Sequence, residues 1–500
     1  MNIKRLRNSW DQLPRKKIRA LQAQKLRRYL RRIVLPYQDY YREEFLRLGI
    51  DWKCIKTLDD LKYLPFSSKK DFTGESDRPR RFIIAPEEEQ LAHLPETLFR
   101  GIFLGRERTK RSLKEEFQPL LMTSTTGRSS DPVPFVYTMH DIKNLEISGR
   151  RVMQMANATS EDRLLNMFPF APHLAFWQTH YAATAHGIFM LSSGGGKTVG
   201  TEGNIKMLRK LQPSVLIGMP TFVYHVLHEA AMDGVRCEKL RCVVMGGEKV
   251  ATGMRLKLHN LAGELGAPDI NVISTYGFTE AKVAWCECLF PSNAESSGYH
   301  LYPDLGIVEI IDPETGRVQK DEEPGEIVYT SLDARGTCVL RYRTGDIIDG
   351  GLTYEPCPYC GRRMPRLMGN ISRRSEIREM QFDKIKGTLV DFNVLEHLLD
   401  DLPDLGAWQI EIRKLHDDPL EVDELILHLS VAEGVDEEKV SDRIKRHVFE
   451  HTELRPNRVE FHTNAEIRKL QGVGTLLKEQ KVADNRSRAL ATHVPDGGAA

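Results

Sequence analysis

Short β-rich runs alternate with amphipathic helical patterns from about residue 120 to about residue 350. The strand-like runs include 242–246 (CVVMG), 271–277 (NVISTYG) and 326–332 (EIVYTSL), and the helical patterns include NIKMLRKLQ and TFVYHVLHEAAMDG. A chain that alternates in this way builds packed layers of helices on a substantial sheet. We therefore predict an α/β body for this region.

The pattern changes after about residue 370. WQIEIRKL, ELILHLSVAEG, DEEKVSDRIKRHVFEHT and NRVEFHT are typical of a compact strand–helix–strand unit of about 110 residues, in the α+β class. The polar stretch GNISRRSEI precedes this unit and favours a hinge. We predict a large domain at 1–370 with a mainly helical N-terminus, a small C-terminal domain at 371–485, and a disordered polar tail at 486–500.

Charge and cysteine content exclude several classes of protein. The 71 basic and 70 acidic side chains give a net charge of +1, so no field of the whole chain favours nucleic acid as a partner. No apolar run approaches the ~18 residues of a membrane-spanning helix. The 8 cysteines are too few for a disulfide framework, and the N-terminus lacks the apolar core of a signal peptide. We therefore predict a cytoplasmic protein without a transmembrane segment.

The first 32 residues carry twelve Lys or Arg side chains against one acidic residue, Asp11. A basic amphipathic helix could contact anionic lipid or act as an organelle presequence. The segment KIRALQAQKLRRYLRR also fits a helix with a buried Ile/Leu stripe and a solvated basic face. We favour the solvated face.

The segment TSTTGRSSDPVPFVYT at 123–138 places six hydroxyl residues around Gly127, with Arg128 beside it. Hydroxyls, backbone N–H groups and a cation donate to anionic oxygens, and glycine lets the backbone approach them. This segment is a candidate phosphate loop. By contrast, SSGGGKT at 192–198 is not a P-loop, because that pattern requires glycine where Leu191 stands. We predict that it forms a glycine turn between a strand and a helix.

Three further segments place a glycine turn and a carboxylate after an apolar run: 243–250 (VVMGGEKV), 274–281 (STYGFTEA) and 340–347 (LRYRTGDI). Strand ends of an α/β sheet form a ligand crevice. Together with TSTTGR, this ordered set resembles the adenylate-forming superfamily of acyl-CoA synthetases, adenylation domains and luciferases, and within it the phenylacetate–CoA ligase family. YYREEFLRLGI, LKYLPFSSKKDF and the stretch from GGGKT to FVYHVL also resemble that family. Residues 74–117 do not match it, and we interpret them as an insertion.

The resemblance implies an AMP-forming acid–thiol ligase that binds ATP and Mg²⁺. It implies a large AMP-binding domain and a small mobile lid domain. Ser124, Thr125, Thr126, Gly127 and Arg128 would hold the ATP phosphates. Gly246, Gly247, Glu248, Tyr276 and Gly277 would border the adenine. Thr279 would contact phosphate, Glu280 would ligate Mg²⁺ and Asp346 would accept hydrogen bonds from the ribose, with Thr126 and Glu280 taking part in catalysis.

The C-terminal segment LKEQKVADNR resembles the end of the family's sequences and implies that Lys478 is the catalytic lysine. Its ammonium would stabilise the negative charge that grows on the α-phosphate and the departing oxygen. Lys481 would take the next basic position. The hinge GNISRRSEI departs from the family's pattern, which makes Arg374 and Glu376 the candidates for the ribose-contacting arginine and the pivot acid.

Cysteine and histidine form a candidate zinc site. The knuckle CPYCG supplies two thiols, and the earlier segment from 286 to 300 supplies two more and an imidazole, so five ligands compete for four tetrahedral positions. The resemblance selects the thiol after Glu287 and leaves Cys286 as the spare. The implied structural Zn²⁺ ligands are Cys288, His300, Cys357 and Cys360.

The substrate acid and the acceptor are the least constrained part of the sequence. Phe170 and His173 follow the phosphate loop where the superfamily places pocket-lining aromatics, so they are candidates for the acid pocket. The resemblance implies a small-molecule carboxylic acid and coenzyme A as co-substrate. A carrier-protein thiol, an amine or AMP transfer to a cofactor is the alternative acceptor, and a non-catalytic ATP-binding homologue is a second alternative. A homodimer is left open.

Overall fold

The structure is a computed structural model of the chain, and it describes thirteen stretches of it. These are residues 10–73, 78–92, 95–125, 132–248, 250, 252–373, 377–383, 386–402, 404–417, 422–432, 434–452, 454–473 and 479–486. Several predicted positions lie outside them, namely Thr126, Gly127, Arg128, Arg374, Glu376, Lys478 and the tail beyond residue 486.

Fifteen α-helices are described. They are α1 (Arg15–Tyr29), α2 (Leu35–Tyr37), α3 (Asp39–Leu48), α4 (Lys69–Phe72), α5 (Glu88–Ala92), α6 (Pro95–Leu104), α7 (Arg106–Phe117), α8 (Met139–Met155), α9 (Leu174–His186), α10 (Gly196–Leu211), α11 (Pro220–Met232), α12 (Thr252–Glu264), α13 (Phe392–Asp400), α14 (Glu437–Thr452) and α15 (Asn464–Gln471). A π-helical turn at Leu30–Val34 continues α1.

Twenty-one strands are described. They are β1 (Pro119–Ser124), β2 (Pro134–Thr138), β3 (Arg163–Asn166), β4 (Phe189–Ser192), β5 (Val215–Gly218), β6 (Cys242–Met245), β7 (Asn271–Phe278), β8 (Val283–Cys286), β9 (Tyr299–His300), β10 (Gly306–Ile311), β11 (Gly325–Ser331), β12 (Tyr342–Ile348), β13 (Leu352–Thr353), β14 (Arg366–Leu367), β15 (Ile371–Arg373), β16 (Ile377–Asp383), β17 (Lys386–Asp391), β18 (Leu405–Lys414), β19 (Asp423–Val431), β20 (Arg458–Phe461) and β21 (Val482–Asp484).

A mixed nine-stranded sheet forms the centre of the fold, in the order β13-β14-β9-β8-β7-β6-β5-β3-β4. The half from β7 to β4 is parallel, and the half from β7 to β13 is antiparallel. Every residue of β5 and β6 is buried, as expected for parallel strands covered by helices on both faces. The carboxyl ends of β6 and β7 therefore meet at one edge of the sheet, which is where the glycine turns of the sequence lie.

Two four-stranded sheets accompany the large one. The first has the order β10-β11-β12-β15 and brings β12 beside the end of the large sheet. The second has the order β20-β19-β18-β21 and packs one face on α13 and α14 around its own hydrophobic core. We call residues 390–486 the small lobe. The exact domain boundaries stay a prediction, whereas the mixed α/β class is confirmed.

The N-terminal helix packs through its apolar stripe. Ile18, Leu26 and Leu30 are fully buried, whereas Lys16 and Arg28 on the same stretch are exposed to solvent. This arrangement supports the solvated basic face. The predicted insertion contains α6 and α7, and α6 exposes a row of apolar side chains, which are Leu98, Phe99, Ile102, Phe103 and Leu104.

The sequence-predicted strands at 242–246, 271–277 and 326–332 correspond to β6, β7 and β11. The GGGKT segment is confirmed as a turn from β4 into α10, with Gly194 and Gly195 at positive φ. Within the stretches described, no helix combines the length and the apolar character needed to cross a membrane. The cytoplasmic location stays a prediction.

Candidate functional site

A cleft of about 1830 Å³ lies at the carboxyl ends of β6 and β7, between the central sheet and the small lobe. Six predicted ATP-site residues line it, together with one residue of the phosphate loop, Thr125. The six are Gly247, Glu248, Tyr276, Gly277, Thr279 and Glu280. Asp346 on β12 faces the same cleft. The structure thus brings together motifs that are about 220 residues apart in sequence, as expected for a crevice at strand ends.

Close backbone approach requires glycine at two turns of the cleft. A Cβ atom at Gly246 would lie 2.3 Å from the Thr275 hydroxyl oxygen, and a Cβ atom at Gly277 would lie 2.9 Å from the Ala284 Cβ atom. Gly247 adopts a φ of +83°, a conformation that glycine adopts without strain. A larger side chain at these positions would displace the walls of the cleft. Gly246 itself is buried behind the wall.

Glu280 is buried at the wall of the cleft and is held by Tyr342. The Tyr342 hydroxyl donates a 2.7 Å hydrogen bond to Glu280 Oε1. Burial raises the pKa of Glu280, and the bond from Tyr342 opposes that rise. Hydroxyl groups of Thr125 and Thr279 line the same cleft, so the oxygens present here suit a hard divalent cation.

The Asp346 side chain contacts residues of two strands, Tyr276 near the end of β7 and Arg373 on β15. Its Oδ2 accepts a 2.7 Å hydrogen bond from the Tyr276 hydroxyl, and its Oδ1 lies 2.8 Å from Arg373 Nε. Burial, and then the Asp346 charge, raise the pKa of Tyr276, so the phenol stays protonated and donates. The arginine at Asp346 is therefore Arg373, and its neighbour Arg374 lies outside the described residues.

The beginning of the candidate phosphate loop is anchored on the segment that follows β3. The Ser124 amide donates a 2.6 Å hydrogen bond to the Pro172 carbonyl, and His173 Nδ1 lies 2.9 Å from the Ser124 carbonyl oxygen. Thr125 accepts a hydrogen bond from the Val133 amide. These contacts hold the first residues of the loop in position. His173 contributes one of them and is not among the described residues that line the cleft.

Phe170 and His173 are not among the described residues that line the cleft. Phe170 packs against the GGGKT turn, where a Cβ atom on Gly194 would lie 2.3 Å from its ring. Its ring also makes an edge contact with Phe176, at 5.1 Å between centroids. The acid pocket therefore stays a prediction at these two residues.

The last described segment of the small lobe enters the cleft. Glu479 and Lys481 both line it, directly after the position of Lys478 in the chain. Lys481 Nζ lies 3.1 Å from Asp400 Oδ2 and 4.7 Å from the centre of the Trp408 ring. Burial would lower the pKa of Lys481, but nearby carboxylates led by Asp400 raise it, so the ammonium stays charged.

Glu479 lies close to Glu248 in the cleft. We expect this pair to make the packing of the segment 479–486 into the cleft dependent on pH. Burial, and then the Glu248 charge, raise the pKa of Glu479 to about 8. An exposed glutamate titrates near 4.3. When the segment 479–486 packs into the cleft, Glu479 takes up a proton at pH values between these two pKa values. The packed state of the segment is therefore most stable below about pH 4.5 and becomes less stable as pH rises to about 8. The decrease is at most about 1.4 kcal/mol per pH unit.

We expect hydrogen exchange in the peptide 479–486 to be faster at pH 8.5 than at pH 6.5, after correction for intrinsic exchange rates. Replacing Glu479 with glutamine keeps the size of the side chain and removes its titration, so Glu479→Gln should show equal protection at both pH values. An unchanged pH difference in this variant would show that another group controls docking.

Four ligand atoms meet beside the antiparallel half of the sheet, where His300 lies on β9. The side chains of Cys288, His300, Cys357 and Cys360 place them all within 4.8 Å of one another. Cys288 Sγ is 3.6 Å from Cys357 Sγ, and Cys360 Sγ is 3.3 Å from His300 Nε2. Hydrogen bonds from Cys288 and then Cys360 lower the pKa of Cys357, which favours a thiolate. Cys286 is not part of this group.

Tyr342, Thr344 and Arg373 are among the cleft residues that sequence reasoning missed. Tyr342 and Thr344 share the face of β12 with Asp346, and the alternation of a strand could have identified both from Asp346 alone. Arg373 could not be separated from Arg374, because the choice depends on the register of β15 with β12, in which Asp346 pairs with Arg373.

Comparison of this sequence with known proteins gives similar AMP-binding enzymes and ligases. Residues 136–336 match the family model of AMP-binding enzymes. The chain is 27% identical over 409 residues to a phenylacetate–coenzyme A ligase of Thermus thermophilus, covering 81% of this chain and 80% of that one. It is 25% identical over 369 residues to a phenylacetate–coenzyme A ligase of Escherichia coli, with 72% and 71% covered.

A solved structure shows the same fold. It is 2-hydroxyisobutyryl-CoA ligase in the postadenylation state with 2-HIB-AMP, which superposes with a TM-score of 0.75 at 19% identity, covering 97% of this chain and 93% of that chain. The same enzyme in the thioesterification state gives a TM-score of 0.60. The matching family model and the related ligases support membership of the adenylate-forming superfamily and, within it, of the phenylacetate–coenzyme A ligase family.

Proposed function

We propose that this protein is an ATP-dependent carboxylate–CoA ligase that forms an acyl-adenylate and then an acyl-CoA thioester. The observation that carries the proposal is the single cleft shared by the glycine turns, Glu280, Asp346 and the segment after Lys478. A nucleotide in this cleft would meet hydroxyls, a buried carboxylate and a lysine-bearing segment at once. The names of the related ligases support coenzyme A as the acceptor.

In the first half-reaction, the carboxylate oxygen of the acid attacks the α-phosphorus of ATP, and the bond to the β-phosphate breaks to release pyrophosphate. The phosphates would be held by the loop from Ser124 to Arg128, and the ribose by Asp346. Glu280 would hold Mg²⁺, which when bound neutralises charge on the phosphate oxygens. The Lys478 ammonium would stabilise the charge that develops at the α-phosphate.

In the second half-reaction, the thiolate of coenzyme A attacks the acyl carbonyl, and the carbon–oxygen bond to AMP breaks. The small lobe occupies one side of the cleft through Glu479 and Lys481. We propose that it rotates about the segment near 370–377 between the two steps, which removes Lys478 and admits the thiol. Rigid-body motion about a few hinge residues is a common way to separate two steps.

The test is product analysis with the full chain, ATP, Mg²⁺, coenzyme A and a panel of phenylacetate, fatty acids and polar acids. We expect acyl-CoA, AMP and pyrophosphate in equal amounts with at least one acid. AMP joined to a cofactor hydroxyl, or an amide without thioester, would move the assignment to another acceptor. ATP binding without any adenylate would favour a non-catalytic homologue.

We also propose that the Cys₃His group binds a structural Zn²⁺. Tetrahedral zinc with bonds of about 2.3 Å to sulfur separates two thiolates by about 3.7 Å, close to the 3.6 Å between Cys288 and Cys357. All four positions are taken by protein ligands, so no site is left for a reactive water. The metal would join the β8–β9 region to the CPYCG knuckle.

We expect the purified protein to retain about one zinc per chain after dialysis against a chelator, as measured by plasma mass spectrometry. Cys357→Ser should lose this zinc and unfold at a lower temperature, because the metal contributes folding free energy. Cys286→Ser is the matched control, since Cys286 is buried nearby but outside the group. Zinc loss in Cys286→Ser with retention in Cys357→Ser would contradict the ligand set.

A further inference from the structure

Two histidines and a glutamate come together on the small lobe, and none of the three is among the residues of the cleft or of the Cys₃His group. His428 lies on β19, Glu460 lies on β20, and His462 follows β20 directly. The register of these parallel strands pairs His428 with Glu460. Because alternate residues of a strand face the same side, His428, Glu460 and His462 share one face of the sheet.

This face is opposite to the hydrophobic core of the small lobe. Leu427 and Leu429 flank His428 on β19 and belong to that core, together with Ile410 and Ile412 of β18. His428 is nevertheless buried, whereas the side chains of His462 and Glu460 are 27% and 36% exposed. The group is therefore closed on one side and open to solvent on the other.

Three atoms of the group converge on one point. His428 Nδ1 is 3.0 Å from His462 Nε2 and 3.5 Å from Glu460 Oε2, and His462 Nε2 is 3.9 Å from Glu460 Oε2. Tetrahedral zinc with bonds of about 2.0–2.1 Å separates its nitrogen and oxygen ligands by about 3.3 Å. Of the three observed separations, the 3.0 Å between the histidine nitrogens is shorter than 3.3 Å, and the 3.5 Å and 3.9 Å to Glu460 are longer.

The surrounding hydrogen bonds prepare these atoms as ligands. His428 Nε2 lies 3.0 Å from Glu411 Oε2, and because a carboxylate only accepts, the ring carries its proton there and keeps a lone pair on Nδ1. A carboxylate behind a histidine is the usual arrangement for a metal-binding imidazole. Arg458 Nη1 lies 3.2 Å from Glu460 Oε1, which leaves Oε2 facing the histidines.

We propose that His428, His462 and Glu460 form a second metal site, for a divalent ion of the zinc class, with a fourth position open to water. Glu411 is a positioning residue, since it holds His428 and does not itself reach the ion. Glu411 Oε1 also accepts a 2.7 Å hydrogen bond from Asn485, directly after β21. The site is thus linked to the strand that follows Lys481.

The test uses the full chain after dialysis against a chelator, titrated with Zn²⁺ by calorimetry and with Co²⁺ by visible absorption. We expect one equivalent to bind beyond the Cys₃His zinc, with tetrahedral Co²⁺ bands. His462→Gln and Glu460→Gln should each weaken this equivalent by at least about tenfold, and Glu411→Gln should weaken it by about 10–100-fold. The double variant His447→Ala/His451→Ala is the control, because half-buried His447 and exposed His451 form a separate histidine pair on α14.

Absence of the additional equivalent, or its loss in the control while His462→Gln binds normally, would overturn the proposal. Circular dichroism of His462→Gln and Glu460→Gln shows whether the small lobe stays folded, and both side chains are exposed enough to be replaced without disturbing the core. The outcome is independent of ligase activity, because the readouts are metal binding and absorption.

Discussion

Replacing Lys478 with alanine is expected to lower the rate of acyl-adenylate formation by about 10²–10³-fold, the loss seen when one group that stabilises transition-state charge is removed. The reason is that this ammonium would meet the negative charge growing on the α-phosphate. Lys478 lies outside the described residues, but the next residues, Glu479 and Lys481, line the cleft.

The two half-reactions separate this role from a structural one. Lys478→Ala should convert a supplied acyl-adenylate and coenzyme A to thioester at a rate within about threefold of the unmodified protein, because the proposed rotation would withdraw the lysine in that step. Lys481→Ala is the comparison variant. If Lys478→Ala forms adenylate normally and Lys481→Ala does not, the catalytic lysine is Lys481, and the alignment of the C-terminal segment is wrong.

Replacing Glu280 with glutamine is expected to lower acyl-adenylate formation by about 10²–10³-fold, since a neutral amide cannot hold Mg²⁺ against the phosphates as a carboxylate does. Glutamine keeps the volume of the side chain, and its amide oxygen can still accept the bond from Tyr342. The loss should therefore reflect charge rather than packing. Single-turnover measurements over a range of Mg²⁺ concentrations give the rate and the apparent metal affinity.

The control for Glu280 is Tyr342→Phe. This variant removes the hydrogen bond and keeps the carboxylate, so we expect a smaller loss of about tenfold, at the lower end of the value of a single hydrogen bond to a charged group. A Glu280→Gln variant with an unchanged Mg²⁺ dependence would show that the ion is held elsewhere in the cleft.

Much of the fold and of the nucleotide site could be predicted from the sequence. The strands β6 and β7 are short apolar runs, and Gly246 after β6 and Gly277 near the end of β7 lie where a side chain would collide with Thr275 or Ala284. Local patterns of this kind reflect backbone geometry, so the sequence records them directly. The resemblance to the phenylacetate–CoA ligase family then gave these turns a common function.

Contacts that depend on register or on long-range packing could not be predicted. Whether Arg373 or Arg374 meets Asp346 depends on a one-residue register between β15 and β12. The proximity of Glu479 to Glu248 depends on how the small lobe packs against the central sheet. The packing of Phe170 on the GGGKT turn is a contact of the same kind, because the aromatic pattern of a segment does not state which neighbour it contacts. Its place in the acid pocket stays a prediction.

The most direct test of the ligase assignment is the exchange of labelled pyrophosphate into ATP, with the full chain and Mg²⁺, in the absence of coenzyme A. We predict exchange that requires an added carboxylic acid and is lost in Lys478→Ala. Exchange that proceeds without any acid, or no exchange with aromatic, fatty and polar acids while ATP binds normally, would contradict the account.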